Sequence, residues 1–387
     1  MSLKNKVAIV GYGDSTLGRA PGKSAIELCV EACKKAMDDS GLAKEEIDGF
    51  LCSTFLPPPL NCTMLQYEIC EHMGIFPEFI AEVCAAGTTH TALIEHASHA
   101  IASGEVNNVL CVSADNLLSR GSDAAVASMA GLSLTDYELP YGAFIVPLYA
   151  LIARRYMHEY GVRSEDLARI AVIGRKHASM NPDAQMREPI TVDDVLNSKM
   201  VCDPLHLLDC ALISDGGGAA ILTSAQNAKR LKVPPVYILG SGFGFSHCSI
   251  MTASDLMTTP AKMSGEIAFK MAGLKPKDID FAEIYDAFTS VVLMELEDLG
   301  FCKKGEAGKL AAEEGRLEIG GELPINTHGG MLSCAHPGIS GGFLDITEAV
   351  RQLRGEAGER QVKNAEIGLV HAQGGFQSEM QTLILGR

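Results

Sequence analysis

The stretches "GLAKEEIDGFLCST" (residues 41–54) and "GLKPKDIDFAEIYDAF" (residues 273–288) share one pattern: Gly-Leu, a short loop with acidic residues, then Ile-Asp and an apolar run. Gly41 and Gly273, Ile47 and Ile279, and Asp48 and Asp280 recur at a constant offset. Each stretch reads as a helix end, a polar connection and the start of a strand. Self-similarity at that distance predicts a duplicated unit. A second echo supports it. "CAAGTTHTALIEHASHAIASGEVNNVLCVSAD" from Cys84 and "CAHPGISGGFLDITEAVRQLRGEAGERQVKNAEIGLVHA" from Cys334 both run cysteine, small residues, helix, polar loop, strand.

Outward from these repeats, short β-branched runs such as "KVAIVGYG" and "IDGFLCST" alternate with helical patterns, an α/β rhythm. Residues 24–40 place Ile26, Cys29, Val30, Cys33 and Met37 on one face, and Gly41 follows as a C-cap. Cys29 and Cys33 therefore read as core, not as a metal pair. The expected halves are residues 1–230 and 231–387. The first contains an insert from about Asn116 to Ala211, rich in Met, Tyr and Arg, whose "YGAFIVPLYALIARRYMHEYG" predicts a half-buried helix leading into one capped at Ser164. An insert of that size is long enough to cover a site.

A chain of 387 residues exceeds the usual single core and fits two comparable units. Hydrophobic residues at 47% and charged residues at 21% imply a folded globular protein. A net charge of -16 without a dense Lys/Arg run argues against nucleic acid as a partner. The apolar run in "MSLKNKVAIVGYG" is too short for a signal peptide or a membrane span, so the expected setting is cytoplasmic and off the membrane. Twelve cysteines without a CxxC pair suggest neither a zinc ribbon nor a disulfide framework, and no metal site is expected.

Three stretches carry chemistry. In "EVCAAGTTHT" (82–91), Cys84 stands between an apolar strand and a helix start, where unpaired N–H groups and the dipole favour thiolate. A small residue at a tight strand–helix junction is the alternative. In "NTHGGMLSCAHPGISGG" (326–342), glycines and Pro337 hold His328 and His336 in loops suited to proton transfer. The same stretch matches G-x-S-x-G at 338–342 but lacks the preceding strand that a hydrolase elbow needs. In "GLVHAQGGFQS" (368–378), a strand ends at His371, and Gly374 and Gly375 can present N–H groups to an oxyanion.

Over essentially its whole length the sequence resembles the thiolase superfamily, on the duplicated halves, "CAAG" before a helix and the "AHP" loop. The segments "ARRYMHEYG", "HASMNP", "CDPLHLLDC" and "SDGGGAAILTS" make it similar to the sterol-carrier-protein-type and archaeal branch. The resemblance implies an α/β thiolase fold: two βαβαβαββ halves in a five-layer αβαβα arrangement, with the insert in the first half. It also implies an acyl-CoA C-acyltransferase that uses coenzyme A and a 3-oxoacyl-CoA and binds no permanent cofactor. By the same resemblance Cys84 is acylated, His336 activates it, and Gly374 or Gly375 joins the Cys84 N–H in an oxyanion hole. Tyr285-Asp286-Ala287-Phe288 replaces the classical Asn-Glu-Ala-Phe, and His371 stands where the second catalytic cysteine is expected. Proton transfer then falls to His371, Tyr285 or a water. A bulky or aromatic substrate such as benzoylsuccinyl-CoA is compatible with the Tyr and Met residues near the insert. A non-thiolytic carbon–carbon lyase and a silent scaffold subunit are the other readings, and steroid side-chain aldolases are expected to be less similar because they lack the cysteine. A homodimer through the "EFIAEVCA" strand and a small zinc-ribbon OB-fold partner are implied as well, the latter because Arg154, Arg155, Arg175 and Lys176 offer little for CoA phosphates.

Overall fold

The structure, a computed structural model, describes residues 2–54, 64–121, 136–138, 140, 142 and 145–387. Part of the insert, with Met129 and Tyr141, lies outside the described residues. The first half runs β1 (Val7–Asp14), α1 (Ala25–Ser40), β2 (Gly49–Ser53), α2 (Leu65–Met73), β3 (Phe79–Glu82), α3 (Thr89–Ser103) and β4 (Asn108–Asn116). The insert contributes α4 (Ile145–Tyr160), α5 (Ser164–Ser179) and the small hairpin β5 (Met200–Cys202) and β6 (Leu205–His206) before β7 (Asp215–Ser224). The second half runs β8 (Val236–Phe245), α6 (Ala261–Ala272), β9 (Phe281–Ile284), α7 (Thr289–Asp298), α8 (Phe343–Arg354), β10 (Ile367–Gly374) and β11 (Glu379–Gly386).

The strand order is β3-β2-β4-β7-β1-β8-β11-β10-β9. Read outward from the centre, each half repeats the other: β1 matches β8, β7 matches β11, β4 matches β10 and β2 matches β9. Pairing inside each half is parallel toward the edge and antiparallel toward the centre. The halves meet where Ala8 and Ile9 of β1 pair with Tyr237 and Val236 of β8. The counterpart of β3 is reduced to one bridge, Ala282 to Ile325, so the second half keeps less than the full βαβαβαββ unit.

The layers follow from which faces are apolar. Helices α1 and α2 bury Leu28, Cys29, Cys33, Ile69 and Cys70 against the outer face of the first half. Helices α3 and α8 share one core with strands from both halves, through Leu93, Ile94, Ala97, Phe343, Ile346 and Val350. Helices α6 and α7 cover the outer face of the second half. This is the five-layer αβαβα fold. Cys29 and Cys33 are core residues, with burial pushing the Cys29 thiol up to about 12.

Local signals act as the sequence implied in α1. Ser24 caps it with Glu27 as the reciprocal partner, and Gly41, at φ 70, closes it by an N–H bond to the Met37 carbonyl. Helix α5 differs: Ser164 is its first helical residue, and the Asp166 carboxylate accepts from the Arg163 N–H at 2.9 Å, so an acid supplies the cap. No described helix is long and apolar enough to cross a membrane.

Candidate active site

Four connecting segments and one helix converge on a narrow pocket of about 90 Å³. The turn before α3 contributes Ala86 and Gly87. The loop after β9 contributes Tyr285, Ala287 and Phe288, the "AHPG" loop contributes His336, Gly338 and Ile339, and the end of β10 with the turn after it contributes Gln373, Gly374 and Gly375. The insert covers the site with Ile145 and Tyr149 of α4, and Leu117 adds a further apolar wall. Larger hollows exist elsewhere on the molecule, but this one collects the reactive side chains.

Close packing sets the shape. Ala86 adopts φ +38, a left-handed conformation that costs a non-glycine residue on the order of 1–3 kcal/mol and so needs surroundings that hold it. Those surroundings are tight. A Cβ on Gly87 would lie 2.0 Å from the Gln373 carbonyl oxygen and 3.2 Å from Tyr285 Cζ, so only glycine fits. Tyr149, fully desolvated, donates to Gln373 Oε1 at 2.9 Å or to the Gly375 carbonyl at 2.8 Å, which ties the insert to the wall.

The Tyr285 hydroxyl and His336 Nε2 lie 3.1 Å apart. His336 Nδ1 faces the Leu212 carbonyl at 3.2 Å, so the proton belongs on Nδ1 and Nε2 accepts from tyrosine. Burial pushes the imidazole down to about 4, partly offset by that carbonyl, and burial likewise holds the Tyr285 phenol above its usual range. At neutral pH the pair is therefore neutral imidazole and neutral phenol, arranged for a proton to move between them. Asp286 braces the arrangement. Its carboxylate accepts from Met331 N–H at 2.6 Å and Leu332 N–H at 3.3 Å, joining the tyrosine loop to the turn that leads into His336. Burial raises this carboxyl to about 6 against those bonds.

Of the residues singled out from the sequence, the structure brings together Tyr285, His336, Gly374 and Gly375. Cys84 and His371 are not among the residues lining the pocket. Helix α3 begins at Thr89, so Cys84 is well before the first turn and lacks the expected helix-end setting. The residue is exposed, and its thiol is raised above the ordinary range by partial desolvation. An Ala86 backbone bond opposes that rise, while Glu82 and Glu379 add to it. The turn residue that faces the pocket is Ala86. His371 lies in β10 with no exposed surface, its Nδ1 2.9 Å from Thr382 Oγ1, and burial pushes it down to about 3. Its backbone carbonyl, not its ring, serves the site by accepting from the Tyr285 N–H at 2.9 Å. The 338–342 match is a short 3₁₀ turn whose Ser340 is buried 2.7 Å from Ser113 Oγ, which excludes an exposed hydrolase serine.

Sequence reasoning missed Ala86, Gly87, Tyr149 and Gln373. Alanine and glycine carry no chemical signal, and Tyr149 is hidden among apolar neighbours in α4. The cations weighed for CoA phosphates are engaged elsewhere. Arg154 pairs with Asp203, Arg155 with Glu159, Lys176 with Glu318, and buried Arg175 donates to Ser333 Oγ and the Glu188 carbonyl. None lines the pocket.

A family model described as the thiolase N-terminal domain matches residues 7–226, and one described as thiolase C-terminal domain-like matches residues 242–387. The chain is 35% identical over 373 residues to an acetyl-CoA acetyltransferase of Methanothermobacter thermautotrophicus, covering 95% of this chain and 96% of that one. It is 36% identical over 376 residues to a steroid side-chain-cleaving aldolase of Thermomonospora curvata, covering 91% of each. A solved Ltp2-ChsH2(DUF35) aldolase superposes with a TM-score of 0.87 at 36% identity, over 99% of this chain and 98% of that one. The expectation that aldolases are the more distant relatives is therefore corrected: they match as well as the acetyltransferase does. With both halves matched, the duplicated topology in place and relatives of either chemistry aligned along nearly its full length, the chain belongs to the thiolase family.

Proposed function

We propose that the protein is a carbon–carbon lyase that cleaves a 3-hydroxyacyl-CoA by a retro-aldol step. The observation that carries this reading is the Tyr285–His336 pair in a pocket with no cysteine among the described residues lining it. Tyr285 takes the substrate's hydroxyl proton as His336 Nε2 takes the tyrosine proton. The bond between C2 and C3 breaks, C3 leaves as a carbonyl compound, and the electron pair moves through C2 into the thioester carbonyl. Backbone N–H groups at Gly374 and Gly375 are the candidates to hold the resulting enolate oxygen. The proton parked on the pair returns to C2, giving a shortened acyl-CoA, so neither water nor free CoA is consumed. The walls from Leu117, Ile145, Phe288 and Ile339 suit an apolar departing group.

Incubation with a 3-hydroxyacyl-CoA in the absence of free CoA, followed by chromatography, tests the reading: a shorter acyl-CoA and an equimolar carbonyl product are expected. Thiolysis of a 3-oxoacyl-CoA through an acyl-Cys84 intermediate is the second reading, favoured by the 35% identity to an acetyltransferase. CoA-dependent cleavage abolished by Cys84→Ala, with no retro-aldol product, would establish the second reading and remove the first.

Two assembly proposals accompany it. The chain forms a homodimer through β3, which ends the sheet with a neighbour on one side only and is half-buried in the isolated chain. Sedimentation as a monomer at micromolar concentration counts against this. A small zinc-ribbon OB-fold protein helps to bind CoA, a proposal motivated by the engaged cations and by the similarity to the Ltp2-ChsH2(DUF35) aldolase. Unchanged turnover on adding such a protein counts against it.

A further inference from the structure

Glu283 of β9, His328 of the Gly-Gly loop and Asp345 in the first turn of α8 come together in the interior, with donor atoms within 4.8 Å of one another. They lie far apart in sequence and none lines the pocket just described. Both oxygens of Glu283 are used: Oε2 lies 3.0 Å from His328 Nδ1, and Oε1 accepts from the Thr327 N–H at 3.2 Å and the Thr327 hydroxyl at 2.7 Å. This fixes the imidazole, with Nδ1–H donating to Glu283 and Nε2 aimed the other way.

What Nε2 meets is Asp345 Oδ1 at 3.6 Å, too long for a hydrogen bond. Among the described residues, neither Nε2 nor either Asp345 oxygen has a hydrogen-bond partner, although Asp345 has 0% and His328 3% of its surface exposed. A carboxylate buried this way costs several kcal/mol unless something neutralises it. The nearby guanidiniums do not, since Arg351 is bonded to Asp14 and Glu348, and Arg360 to Glu348.

Two donors on one ion at roughly 2.1 Å each lie about 3.0–3.4 Å apart in octahedral or tetrahedral sets, close to the observed separation. A carboxylate on the far nitrogen of a metal-bound imidazole is the usual way such a ring is oriented. His328 also lies on the wall of a cavity of about 500 Å³ with Asn181 and Asp14, whereas Asp345 is not among its lining residues.

We propose that His328 Nε2 and Asp345 bind a divalent cation, with Glu283 as the orienting partner of the imidazole. The mixed nitrogen and oxygen donors favour a borderline ion such as Zn²⁺ over Mg²⁺ or Ca²⁺. The ion ties β9, the Gly-Gly loop and α8 together and is not a participant in the chemistry at Tyr285.

The test uses the full chain, stripped with a chelator and titrated with Co²⁺ as a visible probe and with Zn²⁺ by calorimetry. About one equivalent per chain is expected, with visible d–d absorption and a melting temperature that rises on Zn²⁺ addition. Asp345→Asn, nearly isosteric, should lose the absorption, and Glu283→Gln should weaken binding about 10–100-fold. Circular dichroism checks that each variant is folded, and if Asp345→Asn is not, Glu283→Gln decides. Absence of Co²⁺ uptake overturns the proposal and leaves His328 as an imidazolium shared by two carboxylates. Uptake that neither variant changes, or an intense near-ultraviolet band from thiolate ligation at Cys84 or Cys248, overturns it as well.

Discussion

His328 and His336 stand in one short segment, the first buried and the second half-buried, and their environments drive them in opposite directions. Burial disfavours the charge on each. At His336 nothing but a backbone carbonyl opposes it, and the ring is pushed down to about 4. At His328 the hydrogen bond and charge of Glu283, with Asp345 and Glu348, overcome burial and raise it to about 9. Burial alone therefore does not set a ring's affinity for positive charge, whether a proton or a metal ion; the carboxylates within reach do. His336 is left as a neutral acceptor facing a tyrosine, the state a proton-transfer pair requires.

The largest effect that sharpens this contrast belongs to the pair itself. Tyr285→Phe keeps the ring and removes the hydroxyl, and kcat for retro-aldol cleavage is expected to fall by about 10²–10⁴, with His336→Ala comparable. A Tyr285→Phe enzyme within threefold of the parent would break the assignment. Next in size is Asp286→Ala, which orphans the Met331 and Leu332 N–H groups and frees the turn before His336. A loss of about 1–3 kcal/mol in urea denaturation is expected, together with a drop in kcat larger than the change in KM.

The pH profile is a smaller and more selective probe. His336 remains neutral down to about pH 4, so kcat of folded enzyme should hold through pH 6 and fail only on further acidification. Stability behaves differently. His90, His336 and His371 are pushed to about 3, 4 and 3, below an unfolded value of about 6.5. In that window these histidines bind protons in the unfolded chain and not in the folded one, so their contribution to stability declines as pH falls from about 6.5 toward 4, while Asp286, raised to about 6, acts in the opposite direction. An acid limb of kcat near 6.5 in short assays on folded enzyme would contradict the neutral-imidazole role. The smallest effect is expected for Cys84→Ala, within about twofold in retro-aldol turnover, since exposed residues away from special features change little.

The duplication was legible from Gly41 and Gly273 onward because a helix stop, an acidic loop and an apolar strand each leave a local mark. Tyr285 and His336 were legible because their side chains announce chemistry. Cys84, the other reactive residue type, stands two positions before Ala86, the turn residue that lines the pocket. Whether a turn presents its first or third residue depends on backbone dihedrals and on what packs behind it, here Gln373 and Gly374 from the other half. The loss of the β3 counterpart was equally hidden, because the run around Ile325 is apolar enough for a strand yet pairs through one bridge only.

Ala86 gives that geometry a further meaning. Its left-handed backbone presents a single methyl group to the space in front of Tyr285 and His336, held by glycine packing that leaves no alternative path for the chain. A side chain at this position would therefore project toward the reactive pair without any change in strand or helix. Ala86→Cys would insert a thiol beside an imidazole without altering a strand or helix, and alkylation of that thiol by iodoacetamide is expected to be faster than that of Cys84.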